Sequence, residues 1–164
     1  TPDAPSTTAP TILDERIASA ELLEPVEAIA AAGDDRAVFT VLALTLLRSV
    51  EDDPSILRLI LYSALEGHEL ARPFQEKRIL RLREFLTGYI ERRTTEGAFR
   101  AIDPALAARA FMGMVVDHLI VKHVFGQREQ YPQSPEQVAD AYVSIFLDGV
   151  RNASAAAPRK SGRG

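Results

Sequence analysis

The chain has 164 residues, of which 46% are hydrophobic and 26% charged, and its formal net charge is −4. This length can bury a sizeable core as one domain without covalent cross-links, and the lack of cysteine excludes disulfides, thiolate metal sites and cysteine nucleophiles. The acidic balance argues against a body that grips nucleic acid by itself, because phosphate contact needs a clustered basic face.

The two ends of the sequence differ in composition from its middle. Residues 1–10 contain three prolines among Ser, Thr and Ala, and are predicted to be a disordered linker. Residues 153–164 (ASAAAPRKSGRG) have the same character and are predicted to be a disordered tail. The start lacks the features of a secretory signal, and no window is as uninterruptedly apolar as a membrane span. We therefore expect residues 11–152 to form a helical domain in the cytoplasm, with no membrane partner.

Capping residues followed by proline mark three helix starts, at Asp53-Pro54, Asp103-Pro104 and Ser134-Pro135. The cap side chain accepts a hydrogen bond from an unpaired N–H, and proline at the first helical position loses nothing because its missing N–H has no partner there. Gln137, three places after Ser134, completes a capping box. These positions predict where the later helices begin.

Glycines mark the helix ends: Gly33, Gly67, Gly97 and Gly126 each follow a run of helical periodicity, where a left-handed residue satisfies the last carbonyls. No segment alternates with period two beside a strand-type turn. The sequence therefore predicts an all-α protein, an antiparallel bundle of about six helices. The predicted ranges are about 11–32 (with a break near Glu24-Pro25 left open), 35–51, 54–66, 69–95, 104–125 and 135–152.

The last helices carry more apolar surface than one side can bury. The helix at 135–152 has an apolar side, and the helix at 104–125 is apolar around most of its circumference, from Leu106 to Phe125. A helix of that kind must be covered on more than one side. One cover is the protein's own core, and a second copy of the chain is the natural choice for the other.

One stretch resembles a known family. Residues 96–114 read EGAFRAIDPALAARAFMGM, and they resemble the G-x-F, D-P and A-x-x-A-x-x-G entry into the penultimate helix of TetR-family C-terminal domains. Asp53-Pro54 before Leu57-Arg58-Leu59-Ile60, and then Leu70-Ala71-Arg72-Pro73-Phe74, resemble the family's preceding helix pair. Ile145–Val150 resembles its closing helix. The likeness covers roughly residues 35–152.

The resemblance implies a division of labour. The last two helices of each copy would form a four-helix homodimer interface, and the middle helices would enclose a small, largely apolar effector. The effector would control a DNA-binding module by binding one arrangement of the dimer better than the other. A helix-turn-helix module of about fifty residues is expected before such a domain, and only residues 1–10 precede the first predicted helix. DNA is therefore expected as a partner only through that absent module, unless the domain works without one.

Two sets of site residues follow. The predicted ligand pocket consists of Leu42, Leu59, Tyr62, Phe85, Tyr89, Met112, Val116 and His118. The predicted dimer interface consists of Phe111, Phe125, Tyr142, Ile145, Phe146 and Gly149. Simple core packing competes with both assignments, and His118 could equally bond a ligand, pair across the dimer or be satisfied in the core. In the pocket, tyrosine hydroxyls would select ligand polarity.

The sequence carries no recognisable catalytic motif: no nucleophile elbow, P-loop, dinucleotide fingerprint or HExxH. His118 and His123 are five residues apart, which places them on different helix faces and excludes a helical metal pair. We predict no catalytic residue, metal or cofactor. The leading hypothesis is the effector-binding domain of a TetR-type regulator, with repression as the family's commoner mode. A ligand-free helical dimerisation protein is the alternative, and an enzyme on an unfamiliar helical scaffold is third.

Overall fold

The helices lie where the capping signals place them. A computed structural model describes residues 23, 26–66 and 72–153, and this part of the chain is helical with no β-strand, so the predicted all-α class is confirmed. Residues 26–31 are helical and are the described part of a helix that we call α1. The later elements are α2 (Asp35–Asp52), α3 (Pro54–Glu66), α4 (Arg72–Thr95), α5 (Pro104–Leu119), a π-helical turn (Ile120–Val124) and α6 (Pro135–Val150).

Several predictions concern residues outside the described ranges. These are the linker at 1–10, the first part of the helix at 11–32, the helix end at Gly67 and the tail beyond residue 153. They stay predictions.

The predicted caps are formed. The Asp103 carboxylate accepts the Leu106 N–H at 2.9 Å, and Ser134 forms the capping box with Gln137 through two bonds of 3.0 and 3.3 Å. Gly33, Gly97 and Gly126 adopt φ angles of 73°, 79° and 73°, the left-handed region that glycine tolerates best. These local signals position most helix ends without help from tertiary contacts.

The helix predicted at 104–125 changes its hydrogen-bond pattern near its end. It is α-helical to Leu119, and Ile120–Val124 then form a π-helical turn. The turn closes with the Phe125 N–H on the Ile120 carbonyl at 3.1 Å. Lys122 and His123 are buried at this turn. The sequence reasoning found the extent of the helix but missed the wider turn, which has no distinctive residue pattern.

A ring cluster forms the centre of the core, and Phe39 of α2 is its hub. Its fully buried ring lies 4.8 Å from the ring of Phe146 on α6, 4.9 Å from Phe111 on α5 and 6.0 Å from Tyr89 on α4. Phe99, in the loop between α4 and α5, is 6.4 Å away. Aromatic pairs at these separations add stabilisation beyond the area they bury. One side chain of α2 therefore lies beside rings from α4, the α4–α5 loop, α5 and α6.

Backbone bonds fasten the α4–α5 loop to the end of α6. The Arg100 N–H donates to the Val150 carbonyl at 2.8 Å, and the Asn152 N–H donates to the Ala98 carbonyl at 3.0 Å. The Arg100 side chain also reaches the Gly149 carbonyl at 2.7 Å. This clasp holds α5 and α6 antiparallel, with the start of α5 beside the end of α6.

The segment Pro104–Val124 is long and apolar enough, on length and composition alone, to cross a bilayer, and no other helix in the described residues is. Its inward residues Ala108, Phe111 and Val115 lie in the protein core.

We predict that Phe39→Ala lowers the free energy of unfolding by about 3–5 kcal/mol, because it removes the ring that joins four elements and leaves a cavity among them. Urea denaturation followed by circular dichroism measures the change. Leu65→Ala is the control: this α3 side chain is 86% exposed, and its loss should cost no more than about 0.5 kcal/mol. Equal losses in the two variants would contradict the assignment of Phe39 as the hub.

Candidate functional site

An open groove with a volume of about 360 Å³ lies between α1 and α4. Its walls are mostly apolar, and its volume falls within the range of small-molecule pockets, about 300–1,000 Å³. The lining residues are Ala30 and Ala31 of α1, Phe85, Gly88 and Tyr89 of α4, and the charged rim residues Glu27, Glu84 and Arg92.

Large and small side chains create the groove together. Phe85 and Tyr89 are four residues apart on α4 and therefore share one face. Their rings are stacked, with centroids 6.4 Å apart and planes at 14°. Gly88 lies between them in sequence, and a Cβ built there would meet no atom within 4 Å. Ala30 and Ala31 face it from α1, and their small side chains leave the space beside the rings open.

The Tyr89 hydroxyl forms a hydrogen bond inside the protein. It donates to Asp35 Oδ1 at 2.7 Å, and Arg93 holds both oxygens of the same carboxylate at 2.8 and 3.0 Å. Burial and the bond to Asp35 raise the pKa of Tyr89 well above its ordinary value. The phenol therefore remains a proton donor to Asp35. Its proton is therefore not available for donation to a ligand.

The rim of the groove carries unequal charge. The Arg92 guanidinium donates to the Ala30 carbonyl, lies 5.2 Å from the centroid of the Tyr89 ring and is 3.6 Å from Glu96. Glu27 and Glu84 are exposed, and neither has a hydrogen-bond or ion-pair partner in the described part of the chain. The single cation of the rim is thus engaged, whereas its two carboxylates are open to a ligand.

A second polar cluster lies at the π-helical turn. Lys122 donates to Glu51 at 2.5 Å and to the Gln133 carbonyl at 3.3 Å. Burial opposes ionisation of Glu51, but the bond and charge of Lys122 outweigh it and hold the pKa of Glu51 below its ordinary 4.5. These contacts join α2 to the turn and to the loop before α6. They are structural ties, and no group of three or more metal-ligand side chains occurs among the described residues.

His123 is the central residue of this second cluster. Its carbonyl accepts from Arg58 at 3.0 Å, and its Nδ1 lies 3.3 Å from an Arg128 nitrogen. Its Nε2 is buried without a hydrogen-bond partner, 3.5 Å from Glu51 Oε1. Burial lowers the pKa of His123 despite the nearby carboxylate. The ring is therefore held in its neutral form.

His118 packs between two aromatic rings. Its centroid is 5.9 Å from that of Tyr131 and 6.0 Å from that of Tyr142, both in edge-on geometry. Burial, and then the charge of Lys122, lower the pKa of His118. Of the three interpretations of His118, packing within the chain is the one that these contacts support.

Of the eight predicted pocket residues, two line this groove, Phe85 and Tyr89. The other six lie in the core (Leu42, Met112), exposed on α3 (Leu59, Tyr62) or along α5 (Val116, His118). The sequence did not lead us to predict the α1 wall. Four of residues 28–32 are alanines, and such small side chains leave room beside the aromatic residues of α4.

The six predicted interface residues also divide. Phe111 and Phe146 lie in the core of the single chain, with rings 5.2 Å apart, so this conformation does not offer them to a second copy. Tyr142 is half-buried beside His118. Phe125 and Ile145 are exposed, at 68% and 61%, and Gly149 is exposed as well. The outer face of α5 and α6 therefore keeps part of the predicted set.

Comparison with known proteins gives one match. A family model described as AefR-like transcriptional repressor, C-terminal domain, of the TetR type, matches residues 38–149. Searches of curated proteins and of solved structures find no significant match. The matched range begins within α2 and ends within α6, so it takes in the ring cluster and the α4 wall of the groove.

The two buried histidines predict an acid-sensitive fold. Both have lowered pKa values, so the unfolded chain takes up protons before the folded one does. Stability should be complete above the ordinary histidine pKa of 6.5 and fall as the pH drops below it. Protonation of Glu51 lowers the stability of the fold only below its ordinary pKa of 4.5. A loss of stability between about pH 8 and about pH 5 is therefore due to the histidines.

His118→Phe isolates one of them, since phenylalanine keeps a ring between Tyr131 and Tyr142 and does not titrate. We predict that this variant loses less stability than the parent between the two pH values, as measured by urea midpoints. The same loss in both proteins would show that the protonation of His118 is not linked to folding.

Proposed function

The chain belongs to the family of TetR-type, AefR-like transcriptional repressor C-terminal domains, and from that premise we propose that it binds a small, largely apolar effector and forms a homodimer. The effector would control a DNA-binding helix-turn-helix module joined to this domain, and DNA would be contacted through that module alone. The role is regulatory rather than catalytic, and a cytoplasmic location fits it.

The groove between α1 and α4 is the observation that carries the effector proposal. Two of the residues predicted for the ligand pocket, Phe85 and Tyr89, line it. Its apolar lining suits a ligand with little polar surface. A ligand-free interaction protein would have no need of this opening, because larger side chains at Gly88, Ala30 and Ala31 would fill it.

The position of α1 gives the groove a means of control. α1 contributes one wall and precedes α2, and Arg92 ties its last turn to α4 through the Ala30 carbonyl. A ligand between these walls must favour one spacing of α1 and α4 over another if it is to shift a conformational equilibrium. The family's DNA-binding module lies on the N-terminal side of this domain, so movement of α1 is the direct route to it.

The outer face of α5 and α6 supports the homodimer. Leu106 of α5 and Ile145 of α6 are exposed on it. Gly113 lies in the middle of α5, and Gly149 lies near the end of α6. A Cβ added at either position would meet no atom within 4 Å. Glycine weakens a helix by about 1 kcal/mol relative to alanine. Since nothing within the chain requires these glycines, the close approach of a second copy's helices accounts for them.

We predict that Gly88→Leu closes the groove and leaves the fold intact. The space around Gly88 is open, and leucine favours a helix more than glycine does, so stability should be unchanged or higher. Binding of a neutral fluorescent apolar probe, Prodan, should weaken by about tenfold or more, as expected when a pocket is filled. Thr95→Leu, which places a leucine at an exposed position of α4 that does not line the groove, is the control and should leave Prodan affinity unchanged. Equal Prodan affinity in Gly88→Leu and the parent would contradict the groove assignment.

We predict that Ile145→Asp converts the dimer into a monomer of 18.0 kDa, because dimerisation would bury an unpaired carboxylate in an apolar contact. Sedimentation velocity at micromolar concentration measures the mass of the particle. Leu65→Asp, at an exposed site on α3, introduces the same charge elsewhere and should leave the dimer intact. If the parent is itself monomeric, or Ile145→Asp still dimerises, this face is not the interface.

A further inference from the structure

Carboxylates outnumber cations in the lining of the α1–α4 groove. Glu27 stands on the α1 wall and Glu84 on the α4 wall, both at the rim of the groove. Neither carboxylate is paired within the described residues. The neighbouring Arg92 is paired with neither of them, because its contacts are with the Ala30 carbonyl, Glu96 and the Tyr89 ring. The lining of the groove thus has two unpaired carboxylates and one guanidinium, which gives it a net negative charge.

The inner surface of the groove is flat and aromatic. The rings of Phe85 and Tyr89 are nearly parallel, at 14°. Both residues line the groove, but Tyr89 is only 4% exposed, so the half-buried Phe85 is the more accessible of the two rings. Arg92 already places a cation over the Tyr89 ring at 5.2 Å, which shows that positive charge is compatible with this wall. Phe85 has no such cation among the described residues, so its face is available to a ligand.

Ligands of other charge fit this arrangement less well. An anion would be repelled by both carboxylates and would gain nothing from Arg92 unless that side chain left its present partners. A neutral ring system would stack on Phe85, but it would reduce the hydration of Glu27 and Glu84 without offering them a counter-charge. A cation satisfies both carboxylates and the aromatic face at once.

We propose that the ligand of this groove is a small, flat aromatic cation that stacks on Phe85 between Glu27 and Glu84. This inference rests on the proposed function, since it names the chemical class of effector for the same groove. The volume of about 360 Å³ limits the ligand to a few fused rings.

Three acridines of nearly equal shape test the class of ligand: 10-methylacridinium, a permanent cation; acridine, neutral above about pH 7; and the anion acridine-9-carboxylate. Fluorescence titration of the whole chain at low salt gives the affinities. We expect the cation to bind about tenfold more tightly than acridine, and the anion to bind most weakly, as two nearby carboxylates would dictate. The difference should shrink as salt is raised, because the rim is exposed.

Two double variants separate the rim from the net charge of the protein. Glu27→Gln with Glu84→Gln should reduce 10-methylacridinium affinity to that of acridine and leave acridine affinity unchanged. Glu91→Gln with Glu129→Gln removes the same charge at exposed positions that do not line the groove, and it should preserve the preference. Gly88→Leu should abolish the binding of all three acridines.

Each outcome decides one question. If acridine and 10-methylacridinium bind equally to the parent, if the cation does not bind, or if the preference survives the Glu27/Glu84 changes, the cation inference is overturned. If acridine still binds and Gly88→Leu abolishes that binding, the effector groove stands without the cation. If Gly88→Leu leaves the binding of acridine and of 10-methylacridinium unchanged, both the groove assignment and the cation inference are overturned.

Discussion

The ring of Phe39 is the contact on which the rest of the structure depends. It brings α4, α5, α6 and the α4–α5 loop against α2 at ring separations of 4.8–6.4 Å. Close-packed rings have few alternative arrangements, because a small displacement loses many dispersion contacts at once. Tyr89 belongs to this cluster on one side and stacks on Phe85 on the other. The packing of the core therefore also sets the orientation of the groove wall.

Polar contacts give that wall a defined rotation about the α4 axis. Asp35, at the start of α2, accepts from both Tyr89 and Arg93, and all three side chains are largely buried from solvent. A buried ion pair of this kind adds little net stability when its desolvation is counted. Its bidentate geometry instead selects one register of α4 against α2. The aromatic cluster supplies the packing, and the carboxylate fixes which residues face the groove.

Local signals made much of the fold predictable, whereas the site depended on contacts that the sequence does not specify. Capping at Asp103 and Ser134 and the left-handed glycines act through bonds a few residues long, so a sequence reveals them. Periodicity showed that Phe111 and Phe146 are on apolar faces, but it cannot say which neighbour covers a face. Both lie in the core, whereas the neighbouring Ile145 is exposed. In the same way, Leu59 and Tyr62 share an apolar pattern with Leu57, yet only Leu57 is buried.

The two walls of the groove are held by very different means, and this difference bears on regulation. The α4 wall is fixed by the ring cluster and by Asp35. Among the described contacts of α1 are the burial of Val26 and Ala30 and the Arg92 bond to the Ala30 carbonyl. A ligand that favoured one spacing of the two walls would have to change these contacts if it shifted α1. A cation stacked on Phe85 would lie near the Arg92 guanidinium and repel it, so positive charge in the groove would act on the bond between Arg92 and the Ala30 carbonyl.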